Sequence, residues 1–353
     1  MKILVAFVLC GACLAAPSHA STVQSLINPQ DSQTKALLDS IATSKQWRAL
    51  LHFRKNSSLI EQKSGFFLAK NGAKNPYAEL QATLALKKDN PQKFFCTYPA
   101  RALYLSKFFA DIAKDRTRIV CDGFNEFQQI VAFDKISLHY AAESDVYPGS
   151  AMGHIYLAIE GTTKQDISKK WGNTTLELKK GQYVGYSMSF FATAELGLNP
   201  IAYIRAVMGN LDGIYALSPL KNAEFEYIKN EKRNLWRLEL ALNDEEKAML
   251  QAHMWELKDI EIDYAFITHN CNDAIKSLLR VASEDFYIPQ NKPYQTPTEY
   301  LKALHTTGRI IDVKMEAPKN KEVFVKAYGR NDIFGVRDSA KWHSGMKCAM
   351  AMG

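Results

Sequence analysis

The chain has 353 residues, of which 47% are hydrophobic and 23% are charged, and its formal net charge is +7. This is an ordinary globular composition, and the length allows one large domain or two smaller ones. After the first twenty residues, no stretch has eighteen uninterrupted apolar residues, so a transmembrane helix is not predicted. The positive charge suits an anionic lipid surface or an acidic polymer, or is simply a solvated basic surface. No nucleic-acid-binding motif is present, so a nucleic-acid partner is not expected.

The N-terminus has the pattern of a secretory signal peptide. Lys2 supplies a positive charge, a mostly apolar run follows, and Ser18-His19-Ala20 gives a small-x-small cleavage site. The apolar run is too short to span a bilayer comfortably. We therefore predict that residues 1–20 are a signal peptide and that the protein is exported. Acylation of Cys13, as in a lipoprotein, is the alternative.

Export permits disulfide bonds. Four cysteines lie beyond the predicted cleavage site: Cys96, Cys121, Cys271 and Cys348. Cys96 and Cys121 are the natural pair, and the loop that they close is worth about 3 kcal/mol in the chain-entropy description of disulfide stability. Cys271 is then left for chemistry. A bridge between Cys271 and Cys348 is the structural alternative.

Residues 21–143 are predicted to be mainly helical. Apolar residues recur at helical spacing in four stretches, namely 33–41, 47–52, 77–86 and 100–112. Towards the end of this region, residues 124–142 favour β-structure, with 129–133 and 136–140 as the strand candidates.

Residues 144–310 are predicted to form a second domain of strands followed by helices, and residues 311–353 a C-terminal extension. The strand candidates are 154–161, 174–178, 183–193, 224–228, 234–242 and 262–267. Residues 200–208 favour a helix or an irregular lid. Asn243 is a good N-cap for a long helix, with Glu246 in the position of a capping box. The fold class is therefore predicted to be α+β.

Cys271 and His154 are the candidate catalytic pair. Cys271 follows Asn270 at the predicted start of a helix, and His154 follows Gly153 in an apolar strand. A helix N-terminus and an imidazolium both favour the thiolate, and the free amides at the helix end can form an oxyanion hole. The histidine can take the thiol proton and return it to a leaving group. Attack on an ester, thioester or amide then gives an acyl-cysteine, which water hydrolyses or an amine accepts.

Several sequence blocks, in this order, resemble a known bacterial family. They are Glu79-Leu80 with Cys96-Thr97-Tyr98-Pro99-Ala100-Arg101, then Ser150-Ala151-Met152-Gly153-His154, then Glu226-Tyr227 through Arg233-Asn234-Leu235-Trp236, and finally Tyr264-Ala265-Phe266 with Asn270-Cys271. Together they cover about residues 75–285. The chain resembles the exported family of Lnb-type lipoprotein N-acyltransferases. The order of histidine before cysteine is similar to that of the permuted papain-like superfamily, which includes lecithin:retinol acyltransferase.

The resemblance implies a permuted papain-like antiparallel sheet plus helices, preceded by the mainly helical region. It implies that Cys271 is the nucleophile and His154 the base. The implied reaction moves an acyl chain from a phospholipid or other lipid to the N-terminal amine of a lipoprotein, with peripheral membrane contact, in the periplasm or on the periplasmic face of the envelope. In the superfamily a third polar residue lies on the next strand, where Ser189 and Tyr186 are the candidates.

Four further residues are candidates for the site. Asn270 either donates to an oxyanion or caps its helix, while Ser150 and Tyr264 are candidates for lining the pocket. The guanidinium of Arg101 suits a lipid phosphate, although a structural ion pair is the alternative. No cofactor is expected, and no metal is expected because the remaining histidines lack ligand spacing.

Two other functions are compatible with the sequence: one uses the Cys271–His154 pair for a different reaction, and the other does not use it. A periplasmic cysteine amidase or peptidase would act on peptidoglycan or peptides through an identical acyl-cysteine. A non-catalytic envelope scaffold would keep Cys271 buried or bridged to Cys348. An apolar, lipid-sized groove beside Cys271 favours the acyltransferase, and a narrow polar cleft favours the amidase.

Overall fold

The protein, described by a computed structural model, is α+β, with a helical N-terminal region followed by a large antiparallel sheet. The structure describes residues 32–142, 153–171, 174–192, 211–265, 269–289 and 295–318. The predicted signal peptide, the predicted lid at 200–208, Ser150 and Cys348 lie outside these residues. None of the helices in the described part of the chain combines the length and apolarity needed to cross a membrane.

From residue 32 onwards, the N-terminal region contains seven helices. They are α1 (Ser32–Thr43), α2 (Lys45–Leu50), α3 (Pro76–Asp89), α4 (Pro91–Thr97), α5 (Pro99–Leu105), α6 (Ala110–Arg116) and α7 (Asp122–Ile130). The short strands β1 (Phe53–Arg54) and β2 (Ser57–Ser58) form a hairpin, and a 3₁₀ turn spans Gln62–Ser64. Prolines begin α3 and α4, where the capping side chains of Asn75 and Asn90 accept hydrogen bonds from main-chain amides.

Two predictions for this region are wrong in detail. The helix expected over 100–112 is divided into α5 and α6. In the strand expected over 129–133, the first two residues end α7 and the other three lie in neither a helix nor a strand. Phe124 and Phe127 are three residues apart, so they share one helix face, and both rings pack on Trp255 at 5.8 and 5.7 Å. This packing favours a helix over the extended conformation.

The disulfide prediction is confirmed. Cys96 and Cys121 are bonded, with their Cα atoms 5.2 Å apart, and they tie α4 to the residue before α7. Cys271 is a free thiol.

The central sheet has seven strands in the order β10–β8–β7–β4–β3–β9–β11 among the described residues. Its strands are β3 (Lys135–Ala141), β4 (His154–Thr162), β7 (Tyr183–Ala192), β8 (Leu211–Pro219), β9 (Leu235–Leu240), β10 (Glu261–Tyr264) and β11 (Ile310–Glu316). Each neighbouring pair is antiparallel. β5 (Ile167–Trp171) and β6 (Thr174–Leu178) form a separate hairpin. β3 precedes the boundary predicted at residue 144, yet it lies between β4 and β9.

The other helices of the described residues are interspersed with these strands. They are α8 (Leu220–Glu224), a π-helix (Phe225–Asn230), α9 (Asp244–Glu256), α10 (Cys271–Ala282), a 3₁₀ turn (Glu284–Phe286) and α11 (Pro297–His305). The capping box predicted for α9 is present between Asn243 and Glu246. The strand predicted over 224–228 is wrong, because that segment is the end of α8 and the π-helix. The adjacent residues Tyr227 and Ile228 are both buried, whereas an exposed-edge strand would alternate.

The two faces of β4 have different environments. Ile155, Leu157 and Ile159 belong to the main core. Tyr156 and Ala158 belong to a smaller cluster that includes residues of α8 and the π-helix. Because side chains alternate along a strand, His154 shares the face of Tyr156.

Candidate functional site

Cys271 is the first residue of α10. The buried side chain of Asn270 caps this helix: its Oδ1 atom accepts hydrogen bonds from the main-chain amides of Asn272 at 3.0 Å and Asp273 at 3.3 Å. Of the two predicted roles for Asn270, the structure therefore shows capping. The cap occupies two of the main-chain amides that have no partner within the helix at its N-terminus, and it fixes the residue at which the helix begins.

The sulfur of Cys271 receives main-chain hydrogen bonds but lies among apolar groups. Amides of Ile155, Asn272 and Cys271 itself donate towards the sulfur, which favours the thiolate. Burial opposes them and is the larger effect, so the pKa of the Cys271 thiol is raised above its ordinary value. The resting form of Cys271 is therefore the thiol, although the helix N-terminus favours the thiolate.

His154 begins β4, and aromatic rings surround its imidazole. The ring centre lies 5.4 Å from that of Phe191, 5.7 Å from Tyr227 and 6.1 Å from Tyr156. The Nε2 atom is buried and has no hydrogen-bond partner among the described residues. Burial, with a smaller contribution from the charge of Arg233, lowers the pKa of His154 to about 4. The imidazole is therefore neutral at pH 7, as a general base must be.

Two observations relate the positions of His154 and Cys271. The amide that donates to the Cys271 sulfur belongs to Ile155, the residue directly after His154. Tyr227 stacks on the imidazole; burial is the main cause of its raised pKa, and a negative charge at Cys271 would raise that pKa further. The fold thus brings both residues to the beginning of β4.

Two protein families match the chain. The Lnb N-terminal periplasmic domain matches residues 123–306, and a domain of unknown function (DUF7843) matches residues 39–108. The chain belongs to the Lnb N-terminal periplasmic domain family. The protein is accordingly exported, and it is located in the periplasm. No curated protein and no solved structure matches it.

The candidates for a third polar residue in this Lnb-family chain lie at different distances from His154. Tyr186 pairs with Ile159, five residues further along β4, which places it about 16 Å away and on the opposite face. It cannot orient the imidazole, so that assignment is wrong. Ser189 is buried, and by alternation from Ser187, which pairs with Ala158, it faces the imidazole's side of the sheet. The role of Ser189 as the third polar residue, which would orient the imidazole, stays a prediction.

Arg101 does not reach a lipid phosphate. Its side chain is completely buried and bonds Glu79 at 2.6 Å, the carbonyl of Phe66 at 3.0 Å and, more distantly, Glu256 at 3.7 Å. The main-chain amide of Arg101 also donates to Glu256 at 2.9 Å. Glu79 and Arg101 lie in the helical region and Glu256 ends α9, so this cluster connects α9 to the N-terminal helices.

Tyr264 belongs to an aromatic group behind the first turn of α10. Its ring centre lies 5.7 Å from that of Phe190, which in turn lies 5.1 Å from Tyr215. The hydroxyl of Tyr215 donates to the carbonyl of Ala274 at 2.9 Å. The pocket-lining role of Tyr264 stays a prediction. The described residues contain no group of three or more His, Cys, Asp or Glu side chains arranged for a metal ion.

Sequence reasoning missed Tyr227 and the amide of Ile155. Tyr227 is part of the sequence block at 226–236. That segment was predicted to be a strand, and the prediction gave no reason to expect a contact between Tyr227 and His154. The adjacent apolar pair Tyr227-Ile228 was the available signal for a helix. A main-chain amide leaves no trace in residue identity, so the contribution of Ile155 could not be found from the sequence.

Proposed function

We propose that this Lnb-family protein is a thiol acyltransferase of the permuted papain-like type, and that it forms an acyl-cysteine at Cys271. The observation that carries the proposal is a free thiol at the start of α10 that accepts an amide hydrogen bond from the residue after His154. A scaffold with no chemistry needs neither a free thiol nor amides aimed at it.

The first half-reaction begins from a neutral pair. His154 takes the proton of Cys271 as the sulfur attacks the ester carbonyl of a phospholipid. The sulfur–carbon bond forms, the ester carbon–oxygen bond breaks, and His154 returns the proton to the leaving lysolipid. The main-chain amide of Cys271, which the Asn270 cap does not occupy, is available to the oxyanion that develops.

The second half-reaction delivers the acyl chain to an amine. The N-terminal amine of a lipoprotein attacks the thioester, so a carbon–nitrogen bond forms and the carbon–sulfur bond breaks. The amine loses a proton to His154, and the proton then returns to the sulfur of Cys271. Water as acceptor would instead give hydrolysis, which is the amidase or peptidase alternative.

A large apolar groove suits an acyl chain, although neither Cys271 nor His154 lines it. Its volume is about 1030 Å³, and it lies between the sheet, the β5–β6 hairpin, α7 and the end of α9. Apolar side chains that line it include Phe127, Leu176, Met188, Tyr215 and Leu217. Because Tyr215 also bonds Ala274 in the first turn of α10, the groove wall is attached to the helix that carries Cys271. An acyl chain is the occupant that suits this lining, and peripheral contact with the membrane would supply it.

The proposal is tested by the identity of the acceptor. Purified protein is incubated with phosphatidylethanolamine vesicles and a synthetic peptide that begins with diacylglyceryl-cysteine, and the peptide is analysed by mass spectrometry. We expect one added acyl chain on the peptide, none on the same peptide with an acetylated N-terminus, and none with Cys271→Ala. Free fatty acid without acylated peptide would support the hydrolase, and acylation by Cys271→Ala would refute the mechanism.

A further inference from the structure

The imidazole of His154 is held by rings. The ring of Phe191 is nearly parallel to it, at an interplanar angle of 10°, and Tyr227 stacks at 29°. The Nε2 atom has no hydrogen-bond partner among the described residues, so ring stacking is the contact that restrains the Nε2 edge of the imidazole. Offset stacking of aromatic rings fixes ring orientation and stabilises it by about 0.5–1.5 kcal/mol per pair.

The π-helix determines where Tyr227 lies. This helix continues directly from α8, and its wider turns accommodate Tyr227 and Ile228 together against the small cluster. Tyr227 contacts both His154 and Tyr156, each at 5.7 Å between ring centres. π-helices are rare and occur often at functional sites, because an inserted residue redirects a side chain.

Arg233 fastens this segment to the strand beside His154. Its guanidinium donates to the carbonyls of Ala142 and Ala141 at 2.6 and 2.7 Å, and Ala141 pairs with His154 in the β3–β4 register. The main-chain amide of Arg233 bonds the carbonyl of Tyr227 at 2.9 Å. The guanidinium also lies 5.3 Å from the Tyr227 ring centre. Tyr227 is thus tied to the residue opposite the imidazole.

We infer that Tyr227 is a positioning residue, anchored by Arg233, whose ring holds the imidazole of His154 in the orientation that receives the Cys271 proton. The inference rests on the proposed acyl-cysteine function. The aromatic ring, and not the hydroxyl, does the positioning. Tyr227 therefore takes the part that a hydrogen-bonding third residue plays in a catalytic triad.

The charged and titratable groups around the imidazole fit this role. They are Tyr156 from β4, Tyr227 from the π-helix, Arg233 after it and Cys271 from α10. Burial raises the pKa values of both tyrosines far above the ordinary value, so they remain neutral. Neither tyrosine therefore carries a negative charge that would stabilise protonated His154, and the imidazole stays neutral and available as a base.

The first test measures acylation of Cys271. The burst of p-nitrophenolate from p-nitrophenyl octanoate reports formation of the acyl-enzyme. We expect Tyr227→Phe to react within about twofold of the wild-type rate and Tyr227→Leu at least about tenfold more slowly, because small misplacements of a catalytic group cost this much or more. Ile228→Ala, a buried change in the same π-helix, is the matched control and should leave the rate within about twofold.

The second test does not depend on activity. The proton resonances of the His154 ring, assigned with His154→Gln, should be shifted upfield by the stacked rings in the wild type and in Tyr227→Phe, and should move downfield in Tyr227→Leu. If Tyr227→Leu does not fold, Tyr227→Met fills the space with a flexible chain and no ring. A folded ringless variant with wild-type burst rate and resonances would overturn the inference. A wild-type protein with no burst would overturn the proposed function instead.

Discussion

The main-chain amide of Ile155 hydrogen-bonds the sulfur of Cys271, and the imidazole of the preceding residue, His154, stacks on Tyr227. The β4–β7 ladder runs from Leu157↔Met188 to Thr162↔Tyr183, so Ile155 lies just beyond it. The beginning of β4 therefore supplies two groups, a main-chain donor for the sulfur and the imidazole that we propose as the base.

The pH dependence of acyl transfer should follow the lowered pKa of His154. Burial lowers this pKa to about 4, so the imidazole is a neutral base at every pH well above that value. We expect kcat/KM to be flat between pH 5.5 and 7.5, roughly, and to decrease below it with an apparent pKa near 4. The measurement is kcat/KM for an activated ester across pH. An acidic limb near the ordinary histidine value of about 6.5 would contradict this environment for His154.

The free energy of unfolding should fall as the pH decreases through the histidine range. Burial lowers the pKa of His139 to about 3, so the folded state resists a proton that the unfolded chain binds below about pH 6.5. The stability that this neutral histidine contributes is complete above that pH and is lost as the pH falls towards the folded pKa.

Replacement of His139 isolates this effect. In urea titrations between pH 6 and 4.5, roughly, His139→Gln should reduce the slope of unfolding free energy against pH by about 1.4 kcal/mol per pH unit relative to the wild type. Gln retains a polar atom for the hydroxyl of Tyr156, which lies 3.2 Å from the His139 ring nitrogen. Identical slopes in the two proteins would mean that His139 is not held neutral.

Features that are set by local residue types could be predicted from the sequence. The capping box at Asn243, the helix that begins at Cys271 and the Cys96–Cys121 bridge follow from local residue types, and each is present. Strand β3 was also predicted from its apolar pattern, within one residue at each end.

Predictions failed where tertiary contacts decide the outcome. The segment around Tyr227 has strand-forming residues, but the small cluster buries two adjacent side chains and a π-helix results. The thiol of Cys271 gains amide hydrogen bonds, as its helix position indicates, yet burial outweighs them. Arg101 suited a phosphate by type, and only the fold shows that two carboxylates enclose it.

Arg101 should be a stability determinant. Arg101→Leu leaves the buried carboxylates of Glu79 and Glu256 without their cation, and loss of one partner from a buried ion pair typically costs 3–5 kcal/mol, roughly. We expect a decrease of that size in urea unfolding and an unchanged KM in whatever protein folds. A higher KM for phospholipid with unchanged stability would restore the lipid-phosphate role.

Asn270 should stabilise α10 through its cap. Asn270→Ala removes the acceptor for the amides of Asn272 and Asp273 and should cost about 1 kcal/mol, whereas Asn270→Asp retains the cap. Thermal unfolding of the three proteins measures this difference. Equal stability of the alanine and aspartate variants would show that the cap contributes nothing.

Acylation of Cys271 itself is the most direct measurement. After incubation with phospholipid vesicles and no amine acceptor, the intact wild-type protein should gain the mass of one fatty acyl chain, which hydroxylamine should remove as expected for a thioester. Peptide mapping should place that mass on Cys271, and Cys271→Ala should not acquire it. A folded wild-type protein that stays at its original mass, or an adduct that persists in Cys271→Ala, would contradict the acyl-cysteine mechanism.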